Sequence, residues 1–205
     1  MFISELFEET GKTAVLTYGR FNPPTVGHAK LVDKVLSIPG DHFIVVSHSQ
    51  DNKKNPLFAD EKVALLQTMY PGKNIFTAAS KESPTVITAA INLYNQGYTD
   101  LIIVVGADRV ESFTTLFNQY NGKFNAAGIG YKFKSIKIVS AGERDPDADG
   151  AEGMSASKMR EAAMADDIDS FIEGLDPSLH PIAPMIMGTV KERLTPVAKA
   201  TKVKA

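Results

Sequence analysis

The strongest constraint on the fold is a regular alternation between short β-branched runs and longer segments with helical periodicity. The β-branched runs predict strands at residues 13–18, 41–47, 74–78, 100–105 and 135–140. The segments between them are apolar at i, i+3 and i+4 spacing and predict helices at residues 27–36, 60–69, 85–95 and 110–120. Near-continuous apolar strands separated by helices are typical of a parallel sheet covered on both faces. The sequence therefore predicts an open, doubly wound, Rossmann-like α/β fold with a five-stranded parallel sheet.

The chain after the fifth predicted strand is less regular. Residues 141–153 are acidic and rich in turn formers, which indicates an exposed loop. Helices are predicted at 155–165 and 169–174, and the prolines of 176–188 predict a break in regular structure. The basic residues of 188–205 predict a frayed end. We therefore expect a leader at 1–12, one main domain at 13–174 and a C-terminal extension at 175–205.

Composition and charge exclude several classes of protein. There are no cysteines, which excludes a disulfide scaffold, a thiolate metal site and a cysteine nucleophile. With 22 basic against 24 acidic side chains, the chain lacks the excess of positive charge that a duplex-binding protein needs, so no nucleic-acid partner is expected. The longest apolar run is far shorter than a membrane span, and the first residues do not form a secretory signal. These features predict a cytoplasmic protein without a membrane partner.

The first predicted strand ends in a segment with the features of a phosphate-binding turn. Gly19 lets the backbone approach a ligand closely, two prolines stiffen the turn, and the next helix presents its free N–H groups. Thr25 and His28 lie three residues apart at that helix start, so their side chains face the same side. A multiply charged anion could bind there, although a first-turn histidine can also be a simple surface residue.

Polar and charged residues follow the other predicted elements of the same sheet edge. Lys53 and Lys54 follow the second strand, where they could meet an anionic substrate or be ordinary solvated lysines. Gly106 and Asp108 follow the fourth strand, where Asp108 could meet a ribose hydroxyl or cap the next helix; Asp60 is the predicted N-cap of the second helix. Ser155, Ser157 and Arg160 open a later helix, as an anion site or as ordinary capping residues.

These segments together resemble the nucleotidyltransferase superfamily that includes nicotinamide-mononucleotide and phosphopantetheine adenylyltransferases. The string GRFNPPTVGH matches the superfamily pattern G-x-F-[DN]-P-x-[HT]-x-G-H at every fixed position, with Thr25 in the variable slot. KKNPLFADEKVALLQ is similar to a loop and helix of phosphopantetheine adenylyltransferases, and GADRVESF to GAD-x-x-ESF of nicotinamide-mononucleotide adenylyltransferases. MSASKMR resembles I-S-S-T-x-[IVL]-R, but Ala156 replaces one serine, which leaves open a weaker phosphate site.

The resemblance implies transfer of a nucleoside monophosphate from ATP or CTP to a small phosphate-bearing acceptor such as nicotinamide mononucleotide, with release of pyrophosphate. It implies Mg²⁺ held through substrate oxygens and water, with no metal ligands from the chain. The implied catalytic residues are Thr25, His28, Lys53, Lys54 and Arg160. The implied nucleotide-binding residues are Gly19, Arg20, Phe21, Asn22, Gly27, Gly106, Asp108, Ser155 and Ser157.

Several alternatives stay open at this point. Phosphopantetheine adenylyltransferase-like or cytidylyltransferase activity would use the same site, and the sequence does not decide whether the chain forms a homo-oligomer. A third alternative is a non-catalytic structural protein on the same fold. The string FISELFEE, at residues 2–9, resembles a leader found on some tailed-phage head proteins.

Overall fold

The described structure is a parallel α/β sheet with helices on both faces. The computed structural model describes residues 11–142 and 154–195. The strands are β1 (Thr13–Gly19), β2 (Asp41–Val46), β3 (Phe76–Ala78), β4 (Asp100–Val105) and β5 (Ser135–Ser140). The helices are α1 (Val26–Leu36), α2 (Ala59–Met69), α3 (Val86–Asn95), α4 (Val110–Tyr120), α5 (Ala156–Met164), α6 (Ile168–Glu173) and α7 (Ala183–Leu194). Short 3₁₀ turns precede α4 and α7, at Ala107–Arg109 and Pro177–Ile182.

The sheet order places the carboxyl ends of β1 and β4 side by side. All neighbouring strands pair in parallel, in the order β3-β2-β1-β4-β5. The chain leaves β1 toward β2 on one side, and β4 then pairs with β1 on the other, so the winding direction reverses between these two strands. A reversal of this kind opens a crevice outside the carboxyl ends of the strands. The fold class predicted from the alternating pattern is confirmed.

Each face of the sheet buries its own apolar cluster. Successive residues of β1 point to opposite faces, so Val15 packs with α1, α2 and α5–α7, whereas Ala14 and Leu16 pack with α3 and α4. Glycines at positive φ follow the ends of α2 and α3, as the sequence indicated: Gly72 has φ 76° and Gly97 has φ 88°. The two clusters fix the strand ends, and with them the loops that carry the candidate site residues.

Three local expectations are wrong. The N-cap of α2 is Phe58, and Asp60 lies in the first turn instead, where its charge still suits the helix dipole. The prolines of 176–188 do not break regular structure. Pro177 and Pro184 occupy the first turns of the 3₁₀ segment and of α7, where a missing N–H costs nothing, and Pro181 lies inside the 3₁₀ segment. The expected fraying at residue 188 is also wrong as far as Leu194, since α7 continues to that residue.

The segment after residue 174 contributes to the core. Leu175, Leu179, Ala183, Ile186 and Val190 are buried in the same cluster as α1 and α2. The division of the chain at residue 174 stays a prediction, but this part of the extension packs as closely as the elements before it. Residues 1–10 of the leader, most of the acidic loop and the last ten residues lie outside the described residues.

We predict that Ile186→Ala lowers the free energy of unfolding by about 2–5 kcal/mol, the usual cost of a core truncation. Ile186 is 3% exposed, whereas the adjacent Met185 is 63% exposed. Met185→Ala is therefore the matched control and should change the free energy by less than about 0.5 kcal/mol. Urea unfolding of both variants measures the difference. Equal effects would show that α7 does not pack on the sheet.

Candidate active site

The loop after β1 is shaped by the buried ring of Phe21. Phe21 is fully buried and has a positive φ of 47°. A Cβ added to Gly19 would lie 2.7 Å from Cε2 of that ring, so any larger residue at position 19 would clash with the ring. The ring centroid lies 4.7 Å from that of His28. The backbone of Gly19 and the ring of Phe21 therefore support the imidazole at the start of α1.

Thr25 and His28 form a reciprocal capping box at the start of α1. Thr25 is the N-cap, and its hydroxyl accepts from the backbone N–H of His28. In return, the backbone N–H of Thr25 donates to Nδ1 of His28 at 3.0 Å, and the Thr25 hydroxyl oxygen lies 3.0 Å from the same nitrogen. A neutral imidazole that accepts at Nδ1 carries its proton on Nε2. The capping box thus orients the ring and favours Nε2 as a hydrogen-bond donor.

Asn22 connects three separate segments of the chain. Its buried side-chain amide donates to the carbonyl of Leu57 at 3.0 Å and accepts from the N–H of Leu57 at 2.9 Å. Its backbone carbonyl accepts from Nη1 of Arg160 at 2.8 Å. The loop after β1 is therefore tied to the segment before α2 and to α5. The sequence proposed Asn22 as a nucleotide contact and missed this connecting role.

The two serines at the start of α5 have different partners. Ser155 is the N-cap, and its hydroxyl accepts from the N–H of Lys158 at 3.0 Å. The hydroxyl of Ser157 accepts from Nη2 of Arg160 at 3.0 Å. Of the two capping alternatives, the structure shows Ser155 as the cap, while Ser157 orients the guanidinium.

Arg160 is a partly buried cation held by neutral oxygens. Burial, and secondarily the nearby charge of Arg20, lowers the pKa of Arg160 below its ordinary value. Within residues 11–142 and 154–195, no carboxylate lies within ion-pair distance of its guanidinium. Its charge is therefore available to an anion.

An open cavity of about 630 Å³ brings four of the candidate residues together. Lys53 and Lys54 line it from the loop after β2, and Ser157 and Arg160 line it from α5. The remaining lining residues are Asn52, Glu161, Met164, Ala165 and Leu194. The cavity thus has a cationic side built from two distant segments, an apolar side formed by the end of α5 and the end of α7, and one carboxylate, that of Glu161.

The turn that carries the two lysines is organised by Asp51. The carboxylate of Asp51 accepts from the backbone N–H groups of Lys53 at 2.8 Å and Lys54 at 2.6 Å, and also from the side chain of Asn55. These hydrogen bonds hold the pKa of Asp51 well below its usual range. Both lysine side chains remain exposed. The carboxylate thus organises the backbone and leaves the ammonium groups at the cavity.

Lys62 is a buried cation beneath the same loop, and the sequence interpretation missed it. Its ammonium group donates to the carbonyl of Ser47 at 2.6 Å and lies 3.4 Å from that of Ser49. Burial lowers the pKa of Lys62 to about 8. A signal was present, because position 62 falls in the helical series 62, 65, 66 and 69 that forms the buried face of α2.

Gly106 and Asp108 lie where β4 ends, beside the end of β1, and they do not line the cavity. A Cβ on Gly106 would lie 2.7 Å from Oδ1 of Asp108, so the glycine leaves room for that carboxylate. The Asp108 side chain is 80% exposed, and its nearest cation is Arg109 at 3.8 Å. The alternative that Asp108 caps the next helix is wrong, since the N-cap of α4 is Arg109 and no side chain of the described residues caps that helix.

The remaining candidates lie around the cavity rather than in it. Arg20 and Gly27 are exposed at the loop after β1 and the first turn of α1, and Ser155 is committed to its capping bond. Thr25 and His28 do not line the cavity; the ring of Phe21 contacts His28, and the next residue, Asn22, accepts a hydrogen bond from Arg160. The structure therefore shows two groups joined through the loop after β1, a histidine at the start of α1 and a cationic cavity, with Asp108 at the neighbouring strand end.

This geometry, a parallel sheet with a histidine at the first helix start and cations across the strand ends, defines a nucleotidyltransferase fold. A family model described as cytidylyltransferase-like matches residues 16–162. The chain belongs to this cytidylyltransferase-like family of nucleotidyltransferases, and it is an enzyme of that class. No significant sequence match is found among curated proteins.

Solved structures share this fold. The nicotinic acid mononucleotide adenylyltransferase of Plasmodium falciparum, complexed with NaAD, is 13% identical with a TM-score of 0.56, covering 87% of this chain and 97% of that one. A bifunctional NMN adenylyltransferase/ADP ribose pyrophosphatase from Francisella tularensis is 13% identical with a TM-score of 0.59. That match covers 90% of this chain and 52% of the Francisella protein. At this identity the likeness shows the fold.

The described ranges contain neither a membrane-spanning helix nor a metal cluster. No helix there combines the length and apolar character that crossing a bilayer requires. No group of three or more His, Asp or Glu side chains in the same ranges is arranged to hold a metal ion.

We predict that Lys62 makes stability depend on pH. Because the pKa of Lys62 is about 8 in the folded protein and 10.5 for an unperturbed lysine, the unfolded chain binds more protons between these values. The free energy of unfolding of the wild type should therefore rise relative to that of Lys62→Met above pH 8, by up to about 1.4 kcal/mol per pH unit. Urea unfolding of both proteins near neutral pH and near pH 9.5 measures the change. A difference that does not vary with pH would contradict the buried ammonium.

Proposed function

We propose that this nucleotidyltransferase moves a nucleoside monophosphate from a nucleoside triphosphate to a small phosphate-bearing acceptor. The observation that carries the proposal is the shared cavity of Lys53, Lys54 and Arg160, which the Arg160 guanidinium joins to the loop that precedes α1. Three features favour one polyanionic ligand: cations from two segments, a guanidinium whose hydrogen bonds go to neutral oxygens, and a helix N-terminus. A triphosphate has the charge and the length to contact them together.

The reaction is a substitution at the α-phosphorus. An acceptor phosphate oxygen forms the new P–O bond, the bond to the bridging oxygen breaks, and pyrophosphate leaves with the electron pair. Such transfers depend on positioning and on stabilisation of charge rather than on covalent catalysis. In our proposal His28, oriented by Thr25, donates from Nε2 to the α- and β-phosphate oxygens as charge develops on them.

The other residues bind the two substrates. Arg160 and Ser157 would contact the β- and γ-phosphates, and Lys53 or Lys54 would attract the acceptor phosphate. Gly106 and Asp108, at the end of β4, would contact the nucleoside. Ser155 contributes through the helix start it caps, and the backbone of Gly19, Arg20, Phe21, Asn22 and Gly27 forms the turn under the phosphates.

Magnesium fits this donor set as part of the nucleotide complex. No group of side chains in the described residues is arranged to hold the ion, so Mg²⁺ would be held by phosphate oxygens and water. When bound, Mg²⁺ would neutralise charge that develops on the leaving pyrophosphate.

For the substrates we propose ATP and nicotinamide mononucleotide. Two observations support this choice: the GADRVESF segment at the end of β4, and the likeness in fold to proteins named as NMN and nicotinic acid mononucleotide adenylyltransferases. CTP, and phosphopantetheine or another phosphate monoester, remain the alternatives. Pyrophosphate release with each nucleotide against a panel of these acceptors tests the choice. No release with any pair would contradict the proposed function.

We predict that His28→Ala lowers kcat by about 100-fold, the usual effect of removing one donor to a developing oxyanion. The matched control is His42→Ala. His42 lies near the start of β2, at the amino ends of the strands and so away from the candidate site. Its Nε2 lies 2.8 Å from the carbonyl of Ile38. The control should keep wild-type turnover. Full turnover of His28→Ala would remove the imidazole from the mechanism.

A further inference from the structure

The last turn of α7 contacts the segment that follows the two cavity lysines. Both terminal nitrogens of Arg193 donate to the carboxylate of Glu61, at 2.5 and 2.7 Å. Nη1 also donates to the carbonyl of Pro56 at 3.1 Å, and the guanidinium lies 4.6 Å above the ring of Phe58. Glu61 in turn accepts from the N–H of Phe58 at 2.8 Å and caps α2. One side chain of α7 therefore holds residues 56–61.

This contact completes the set of anchors around the lysine loop. Asp51 holds the first half of the loop through the N–H groups of Lys53 and Lys54, and Asn22 holds Leu57 from the opposite side. Arg193 holds the end of the loop, where the chain turns into α2. The next residue of α7, Leu194, lines the cavity itself. The end of α7 thus supplies both part of the wall and an anchor for the cationic side.

The geometry of the Arg193 contact distinguishes it from an ordinary surface ion pair. A single exposed pair contributes little to stability. Here the guanidinium is 26% exposed and the Glu61 side chain 36%, and the guanidinium combines a bidentate pair, a carbonyl acceptor and an aromatic face. Lys191, on the same turn, forms a pair with the 67% exposed Asp166 on the side of α5 and α6. Lys191 is therefore a natural control.

We propose that Arg193 is a positioning residue for the anion site, acting through the loop that carries Lys53 and Lys54. It lies in the extension, outside the matched region 16–162, yet it fixes the loop against which the polyanion binds. The inference rests on the proposed function for the nature of the ligand. Its first test therefore uses an inorganic probe that needs neither a base nor an acceptor.

Inorganic tripolyphosphate is titrated by calorimetry into the full-length wild type, Arg193→Ala, Arg193→Lys and Lys191→Ala. Arg193→Ala should weaken binding by about fivefold or more, a loss of the size of one good contact. Arg193→Lys keeps a charge toward Glu61 but loses the bidentate fork, so its affinity should be intermediate. Lys191→Ala should bind within about twofold of the wild type, since an exposed pair is worth little. Equal affinity of Arg193→Ala and wild type would overturn the proposal.

Limited cleavage with lysyl endopeptidase measures the loop directly. Arg193→Ala should be cut after Lys53 and Lys54 faster than the wild type and Lys191→Ala, with the circular dichroism spectrum unchanged. If Arg193→Ala does not fold, Arg193→Lys carries both measurements. An unchanged cleavage rate in a folded variant would contradict a held loop.

Turnover then separates the two proposals. With ATP as substrate, Arg193→Ala should raise KM while kcat stays close to the wild-type value, because the histidine at α1 is untouched. Tripolyphosphate binding that depends on Arg193, without turnover by the wild type, would leave this inference standing and remove the proposed function. Wild-type turnover with no effect of Arg193→Ala on KM or binding would remove only the role of Arg193.

Discussion

The site depends on the hydrogen bond from Arg160 to the backbone carbonyl of Asn22. This bond joins α5 to the loop after β1 across 138 residues of sequence. Because the side chain of Asn22 also pairs with both backbone groups of Leu57, three segments meet at one residue. Partial burial of this guanidinium costs desolvation and lowers the pKa of Arg160, and its hydrogen bonds go to neutral oxygens. A bound anion would offset this desolvation cost. The neighbouring Lys53 and Lys54 line the same cavity.

The fold could be predicted because the patterns of apolar residues that specify its strands and helices are visible in the sequence itself. Strand runs and helical periodicity fixed the element order, and the parallel winding placed the ends of β1, β2 and β4 on one edge of the sheet. The C-terminal helix was missed because proline was interpreted as a breaker. Pro184 sits in the first turn of α7, where proline is compatible with a helix, and sequence alone does not say on which side of a boundary a proline falls.

The sequence predicts a set of candidate site residues but not the hydrogen bonds that they make. The sequence named Asn22, Ser155 and Ser157 as equivalent ligand contacts, whereas the structure commits Asn22 to Leu57 and Ser155 to a helix cap and turns Ser157 toward Arg160. The hydrogen-bond partner of a side chain depends on the distances between helices, strands and loops. The periodicity of the sequence contains no information on those distances. Glu61 and Arg193 show the limit most clearly, since they meet across 132 residues and Arg193 lies outside every motif in the sequence.

The net charge of the chain gives no indication of the site, because the site depends on where individual cations and carboxylates lie. A net charge of −2 would suggest indifference to anions, yet Arg20, Lys53, Lys54 and Arg160 gather at one sheet edge. Two of the nearby acidic groups are engaged elsewhere, Asp51 by backbone N–H groups and Glu61 by Arg193, while Glu161 lines the cavity beside Arg160. Carboxylates that are satisfied within the loop can organise it without pairing with the cations. The same acidic side chains that balance the total charge therefore build the frame that leaves the cations exposed to a ligand.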